Sequence, residues 1–246
     1  MTLEEIRKDA TTLIVSDLLQ ALKATKKAVR KDKLVGREII STYYFKGEGD
    51  AMRVIGTDAY KLVSTTILQP LKKDFCLKYE DGDDLAGYIK GKNRVLIKVS
   101  DNKVRFYLEE DDFREYDALN VDGYPEIDKI IPDYMDEQAQ PINAKELACK
   151  VRDIERMASP KTKGVLLHDN KITIEREGYQ ASIEIDYKLE RVRVNASYLK
   201  EILANYKTMV TIKVLDINRP VMFSGDLEGV QIDNNKSYAM LMPIRD

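Results

Sequence analysis

The 246-residue chain is poor in the residues on which many catalytic and metal sites depend. Its two cysteines, Cys76 and Cys149, exclude a disulfide scaffold and a cysteine-based zinc ribbon. Its single histidine, His168, argues against histidine-rich metal centres and histidine-containing catalytic triads. Tryptophan is absent, so tyrosine supplies the intrinsic fluorescence. We therefore expect a protein of the reducing cell interior, with no cofactor and no bound metal.

Long apolar runs are also lacking. No stretch approaches the roughly 18 apolar residues that suggest a helix crossing a bilayer. The first ten residues, MTLEEIRKDA, are polar and acidic, unlike a secretory signal peptide. These features predict a cytoplasmic protein without a membrane partner.

The motifs of common enzyme classes do not occur in the chain. We find no HExxH, GxSxG, Walker loop or CxxC pattern. The segment Gly47-Glu48-Gly49 predicts a hairpin turn, because no helix pattern follows it. The acidic run at 80–84 is compatible with a divalent cation and equally with the polar start of a helix. We expect the protein not to be an enzyme, with an α+β enzyme acting through this acidic run as a competing hypothesis.

The charges nearly cancel but are segregated along the chain. There are 40 Lys and Arg residues against 42 Asp and Glu, a net charge of -2. Residues 23–37 are strongly basic and residues 109–128 strongly acidic. Such segregation is typical of two solvated patches, or of a surface that holds a polyanion on one side only.

Amphipathic patterns predict helices at 17–31, 143–157 and 195–207, with a shorter one at 84–90. Asn143 and Asn195 are expected to cap the second and third of these helices. Long cations without interleaved aromatic residues favour contact with phosphate backbones over the reading of bases. The cations that we predict to face DNA are Lys23, Lys26, Lys27, Arg30, Lys31, Arg37, Lys145, Arg152, Arg156, Lys200 and Lys207.

Alternating strands and short polar turns surround these helices, as expected of antiparallel hairpins in an α+β fold. The polar, proline-bearing segment at 132–141 predicts a linker between domains 1–132 and 133–246. Helices and strands follow in a similar order on either side of it. DNKVRF at 101–106 and DNKITI at 169–174 also resemble each other. We therefore expect two duplicated domains, each with helices packed on antiparallel sheets.

Four segments, taken together and in order, resemble one family. They are RVIGTDAYKL at 53–62, YPEIDKIIP at 124–132, VRVNASYLKEILANYK at 192–207 and YAMLMPIRD at 238–246. They resemble segments of the bacterial DNA sliding clamp, the beta subunit of DNA polymerase III. The resemblance covers the family's second and third domains. Ala59-Tyr60-Lys61 stands where the family has Gly-His-Arg, and Asp246 replaces a terminal apolar residue.

The resemblance implies a non-catalytic processivity factor. Clamp domains join into a ring with helices lining the hole, and the ring slides on duplex DNA without sequence preference while it tethers a polymerase. Family rings contain six domains, so a two-domain chain is expected to close a homotrimer. Such a protein would be associated with the nucleoid. The competing hypothesis is a clamp-like DNA-binding or regulatory protein that does not close a ring and competes for clamp partners.

Clamps also bind their partners, among them polymerase and clamp loader, through short peptides rich in Gln, Leu and Phe. In the family these peptides enter an apolar pocket between the second and third domains. Carried over to this sequence, the pocket residues are Ile40, Thr57, Ala59, Tyr60, Lys61, Leu62, Pro125, Lys129, Ile130, Met240, Leu241, Met242, Pro243, Ile244 and Arg245.

Overall fold

The structure is a computed structural model, which describes residues 3–29, 38–130, 141–157, 164–176, 179–214, 217–227 and 237–244. Its contacts divide the chain into two compact units. Unit 1 comprises Met1–Ile130 with Gly229–Ser237, and unit 2 comprises Ile131–Glu228 with Tyr238–Asp246. Both units combine helices with antiparallel strands, so the predicted α+β class is confirmed.

The described residues of unit 1 form three helices and two sets of four antiparallel strands. The helices are α1 (Leu3–Asp9), α2 (Val15–Lys26) and α3 (Tyr79–Ile89). One sheet has the order β5-β2-β3-β4, with β2 at Thr42–Glu48, β3 at Ala51–Thr57, β4 at Lys61–Ile67 and β5 at Phe75–Lys78. The other has the order β1-β6-β7-β8, with β1 at Thr11–Ile14, β6 at Arg94–Val99, β7 at Lys103–Tyr107 and β8 at Phe113–Asp117. Short 3₁₀ turns lie at Glu38–Ser41 and Ile127–Lys129.

The helices in the described part of unit 2 are α4 (Ala144–Glu155) and α5 (Ala196–Leu203). Its strands are β9 (Pro141–Asn143), β10 (Gly164–Arg176), β11 (Tyr179–Asn195), β12 (Tyr206–Lys213), β13 (Val221–Leu227) and β14 (Tyr238–Leu241). Strands β9, β12, β13 and β14 pair in that order, all antiparallel. Strands β10 and β11 pair with each other, with register shifts near Asp169.

Strand β10 folds back on itself at Asp169-Asn170. His168 Nε2 lies 3.0 Å from Thr173 Oγ1, five residues further on. An extended strand would separate these residues by roughly 16 Å. Asp169 has a φ of 48°, the left-handed conformation that asparagine and aspartate tolerate in tight turns. The two halves of β10 therefore fold back toward each other, and the half-buried His168 lies next to the tight turn at Asp169-Asn170.

The two units share part of one topology. Residues 192–195 pair with 164–167, Asp169 pairs with Leu189, and residues 171–176 pair with 179–184. Strands β9-β12-β13-β14 of unit 2 follow one another in the same order as β1-β6-β7-β8 of unit 1. The predicted duplication is therefore confirmed. The two DNK segments do not mark it, however, because one follows β6 and the other divides β10.

Two glycines allow the helices of unit 1 to pack closely on their sheet. A Cβ on Gly56 of β3 would lie 2.6 Å from Val29 Cγ2 and 2.9 Å from the carbonyl oxygen of Thr25. A Cβ on Gly82 of α3 would lie 2.3 Å from the ring of Tyr43 on β2. Both distances are far below van der Waals contact. The core beneath the helices contains Leu18, Leu22, Val29, Phe45 and Phe75, among others.

The helix boundaries correct several predictions. Helix α3 begins at Tyr79 instead of residue 84, so the acidic run lies inside its first turns, where carboxylates stabilise the helix dipole. Helix α5 ends at Leu203, because the segment from Tyr206 pairs with β13. Lys207 is therefore a strand residue. The predicted caps are confirmed, since Asn143 accepts from the Glu146 N–H and Asn195 accepts from the N–H groups of Ser197 and Tyr198.

The two cysteines lie in contrasting environments. Cys76 is fully buried on β5, and burial raises the pKa of its thiol to about 12. Cys149 is exposed on α4, and the Arg152 guanidinium donates a hydrogen bond of 3.4 Å to its sulfur. The two thiols therefore differ strongly in accessibility.

Candidate functional site

The turn between β3 and β4 is closed by its own side chains. The Asp58 carboxylate accepts from the N–H groups of Tyr60 and Lys61, at 2.9 Å each. Thr57 Oγ1 donates to the Lys61 carbonyl at 2.9 Å and accepts from the Ala59 N–H at 3.1 Å. Because Thr57 and Asp58 are buried, this network holds the backbone of the turn in a fixed shape.

The turn exposes some of its predicted binding residues and buries others. Ala59 is exposed with a φ of 73°, and Tyr60 is 56% exposed. Lys61 is buried, and its Nζ lies 3.7 Å from Asp58. Leu62 and Ile40 are buried as well. On unit 1, Tyr60 is thus the predicted side chain most available to a partner at this turn.

The segment at 125–130 is anchored to the sheet by Asp128. Arg53 Nη2 donates to Asp128 Oδ1 at 2.5 Å, and Lys46 forms an ion pair with the same carboxylate. Burial acts to raise the pKa of Asp128, but the two cations together outweigh it and hold the pKa below its usual value. The anchored segment leaves Ile130 43% exposed, Lys129 exposed beside Glu126, and Pro125 half-buried.

In unit 2 the predicted residues lie at the end of β14. Met240 and Leu241 are buried within the strand, whereas Met242 and Pro243 are half-buried and Ile244 is 38% exposed. The Ile244 N–H donates to the Arg193 carbonyl at 2.8 Å, which fixes the path of the chain beyond the strand. The last predicted residues, Arg245 and Asp246, lie outside the described residues.

One of the predicted DNA-facing cations of unit 1, Lys26, forms an ion pair with a carboxylate of α3. Lys23, Lys26 and Lys27 are exposed near the end of α2. Lys26 Nζ lies 2.6 Å from Asp83, whose hydrogen bond raises the pKa of the lysine. Helix α3 also carries Glu80, Asp81 and Asp84, so the basic surface does not extend to it. Arg30, Lys31 and Arg37 lie outside the described residues.

Unit 2 places its predicted cations in three different settings. Lys145, Arg152 and Arg156 are exposed on or just after α4, with Arg156 Nη1 3.9 Å from Asp153. Lys200 forms an ion pair with Glu155, which also accepts from Ser197 Oγ at 2.6 Å. Lys200 therefore connects α5 to α4. Lys207 is exposed on β12.

Neither a metal cluster nor a membrane span is found in the part of the chain that the structure describes. No three His, Cys, Asp or Glu side chains are grouped there so as to hold a metal ion. None of the helices there has both the length and the apolar character needed to cross a bilayer.

Comparison with solved structures identifies the fold. The chain superimposes on the DNA polymerase sliding clamp of Pseudomonas aeruginosa with a TM-score of 0.78 and 16% identity. The DnaN sliding clamp of Bartonella birtlesii, bound to griselimycin, gives a TM-score of 0.78 and 17% identity. The polymerase III beta protein of Caulobacter crescentus gives 0.75 and 19%. The fold is that of a bacterial sliding clamp.

The clamp fold extends over nearly all of the chain. Each of the three comparisons covers 96% of this chain and 66% of the clamp chain, just under two thirds. No protein-family model matches the sequence, and no curated protein matches it. The resemblance inferred from four short segments is thus confirmed in the fold.

Replacing Ala59 by glycine is expected to stabilise the protein. A left-handed conformation costs a residue with a Cβ about 1–2 kcal/mol, part of which glycine loses again through unfolded-state entropy. We expect a net gain of about 0.5–1 kcal/mol in the free energy of unfolding, measured by urea denaturation. Ala86→Gly inside α3 is the control and should destabilise by about 1 kcal/mol. A lower free energy of unfolding for Ala59→Gly than for the wild type would show that the left-handed backbone at Ala59 is not strained.

Removing the Asp128 charge is expected to make the free energy of unfolding depend less on pH in the acidic range. The folded-state pKa is depressed, so the stabilisation is present above the unfolded pKa of about 3.9 and disappears as the pH falls through the folded value. Asp128→Asn should therefore be less stable than the wild type at pH 7, with the difference shrinking below about pH 4. Denaturation across pH measures this. Asp101→Asn, which removes an exposed partner of Lys73, should change little.

Proposed function

We propose that the protein is a DNA sliding clamp, a processivity factor that encircles duplex DNA and tethers a polymerase and other replication or repair proteins. The clamp fold over 96% of the chain is the observation that carries this proposal. A clamp acts without a chemical step, because tethering raises the effective concentration of the polymerase at its template. In this proposal the protein is not an enzyme, and its DNA partner places it at the nucleoid in the cytoplasm.

The charges of the helices suit a ring that slides. Contacts with phosphates carry no sequence information and weaken as salt rises. Several predicted cations are already paired, such as Lys26 with Asp83 and Arg156 with Asp153. Pairing leaves each phosphate contact weak, so the protein can move along DNA instead of stopping at one site.

We propose a homotrimer as the closed form. Three chains of two units supply the six domains of a clamp ring. Strand β8 ends one sheet of unit 1, and residues 179–184 end one sheet of unit 2. Neither has a second partner strand among the described residues. A head-to-tail contact that closes by three-fold rotation uses two different surfaces of one chain, and backbone pairing would satisfy both edges.

A second candidate is a clamp-like protein that does not close and competes for clamp partners. The carboxylates of α3 favour it, because they oppose the cations of α2 on a surface that clamps direct toward DNA. Ring closure separates the two candidates.

The deciding experiment measures the mass of the assembly in solution and tests whether it is linked topologically to DNA. We expect a species of three times 28.2 kDa by light scattering across a concentration series. We also expect retention on nicked circular DNA and release after the circle is cut, because a ring slides off a free end. Loading with the cognate loader, or at high protein concentration, precedes the measurement. A monomer up to high micromolar concentration, without preference for circles, would support the second candidate.

The peptide-binding part of the proposal rests on the exposed residues of the predicted pocket. A Gln/Leu/Phe-rich peptide of five to eight residues should bind with a dissociation constant on the order of micromolar, about -8 kcal/mol. Met242→Asp in unit 2 and Tyr60→Ala in unit 1 should each weaken binding at least roughly tenfold, or about 1.4 kcal/mol, through lost apolar contact. Fluorescence anisotropy of a labelled peptide measures this. Met157→Asp, at a more exposed methionine outside the predicted pocket, is the control. Equal affinity in all four proteins would refute the assignment.

A further inference from the structure

Helices α2 and α3 run antiparallel, and their charges differ between the two ends of the pair. At one end, Lys26 near the close of α2 contacts Asp83 and Tyr79 at the start of α3. At the other, the Val15 N–H at the start of α2 donates to the Asn93 carbonyl, at 3.0 Å, just beyond α3. The first end mixes lysines with carboxylates, each at the helix terminus whose dipole it stabilises.

The second end is positive and carries no exposed carboxylate in its own turn. The turn Lys90–Arg94 reads Lys-Gly-Lys-Asn-Arg, and all five residues are exposed. Among the described residues, no salt bridge joins Lys90, Lys92 or Arg94 to an acid. The nearest carboxylate on α2, that of Asp17, is buried and accepts from Gln69 and Ser16.

An open cavity of about 310 Å³ lies beside this turn. Its lining consists of Ile14, Ser16, Lys92, Asn93 and Arg94. Long cations with hydroxyl and amide groups are the side chains that proteins use for phosphate oxygens. Ile14 is the one apolar side chain in this lining, too little to anchor an apolar peptide, and no aromatic ring is present to stack on a base.

We propose that the turn Lys90–Arg94 is the principal phosphate-contacting element among the described residues of unit 1 and binds the backbone of duplex DNA. This inference rests on the proposed clamp function and refines it. The predicted face of α2 becomes secondary, because Lys26 is held by Asp83 and the neighbouring helix α3 carries further carboxylates. Contact through the turn is sequence-independent, since none of its groups is arranged to read base edges.

Three variants that each remove three positive charges test the proposal. The turn variant carries Lys90→Gln, Lys92→Gln and Arg94→Gln. The helix variant carries Lys23→Gln, Lys26→Gln and Lys27→Gln. The control carries Lys72→Gln, Lys73→Gln and Lys103→Gln, which lie elsewhere on unit 1. Because the net charge changes equally, only position distinguishes them. Circular dichroism shows that each is folded.

Binding to a labelled 30-base-pair duplex is measured between low and moderate salt. We expect the turn variant to lose roughly tenfold in affinity at low salt and to reduce the slope of log affinity against log salt by about 2 or more, since each lost contact removes about 0.9. The helix variant should lose less, and the control least. Equal losses in all three variants, or a larger loss in the helix variant, overturn the proposal.

Three further outcomes separate this inference from the proposed function. If the wild type is retained on circular DNA and the turn variant binds the labelled duplex with wild-type affinity and wild-type salt dependence, the inference is wrong and the clamp function stands. If the turn variant binds DNA normally but loses a Glu/Leu-rich peptide that the wild type binds, the turn serves an acidic protein partner, and the proposal is overturned. Failure of the wild type to associate with any DNA overturns the function itself.

Discussion

The helices of unit 1 lie against their sheet at a distance that a side chain on Gly56 or Gly82 would prevent. At both positions an added Cβ would overlap its neighbours, a Val29 methyl group and the Thr25 carbonyl in one case and the Tyr43 ring in the other. Close approach brings the apolar faces of both helices onto the sheet and leaves their charged faces outside. Gly56 directly precedes Thr57, so the packing of α2 and the geometry of the exposed turn depend on adjacent residues of one strand.

The outward charges follow from the same packing. An antiparallel helix pair brings the end of one helix to the start of the next, where opposite dipole ends favour lysine beside aspartate. The pairing of Lys26 with Asp83 therefore stabilises the pair and also reduces its attraction for a polyanion. In unit 2, Glu155 has a comparable effect on Lys200, because it connects α4 and α5 through that cation. A helix surface can be rich in lysine and still bind phosphate weakly.

Local patterns in the sequence predicted the parts of the structure that depend on neighbouring residues. The caps at Asn143 and Asn195 and strand β6 at Arg94–Val99 could be predicted because their determinants lie within a few positions. Contacts between residues that are far apart in the sequence could not be predicted in this way. Arg53 meets Asp128 across 75 residues, and Tyr206 leaves the helical pattern because it pairs with Leu227. Lys61 is among the predicted pocket residues, yet it is buried on β4 with its Nζ 3.7 Å from Asp58.

The unequal environments of the two cysteines have a practical consequence. At neutral pH the buried Cys76 remains a protonated thiol out of reach of reagents, whereas Cys149 is open to solvent on α4. A maleimide dye added to the unmodified protein should therefore attach at one position, without any cysteine replacement. Because the chain contains no tryptophan, an indole-bearing ligand can be excited at the long-wavelength edge of its absorption, where tyrosine absorbs little, without competing protein emission. The native chain is thus already suited to site-specific optical spectroscopy, with its reporter on a helix of unit 2.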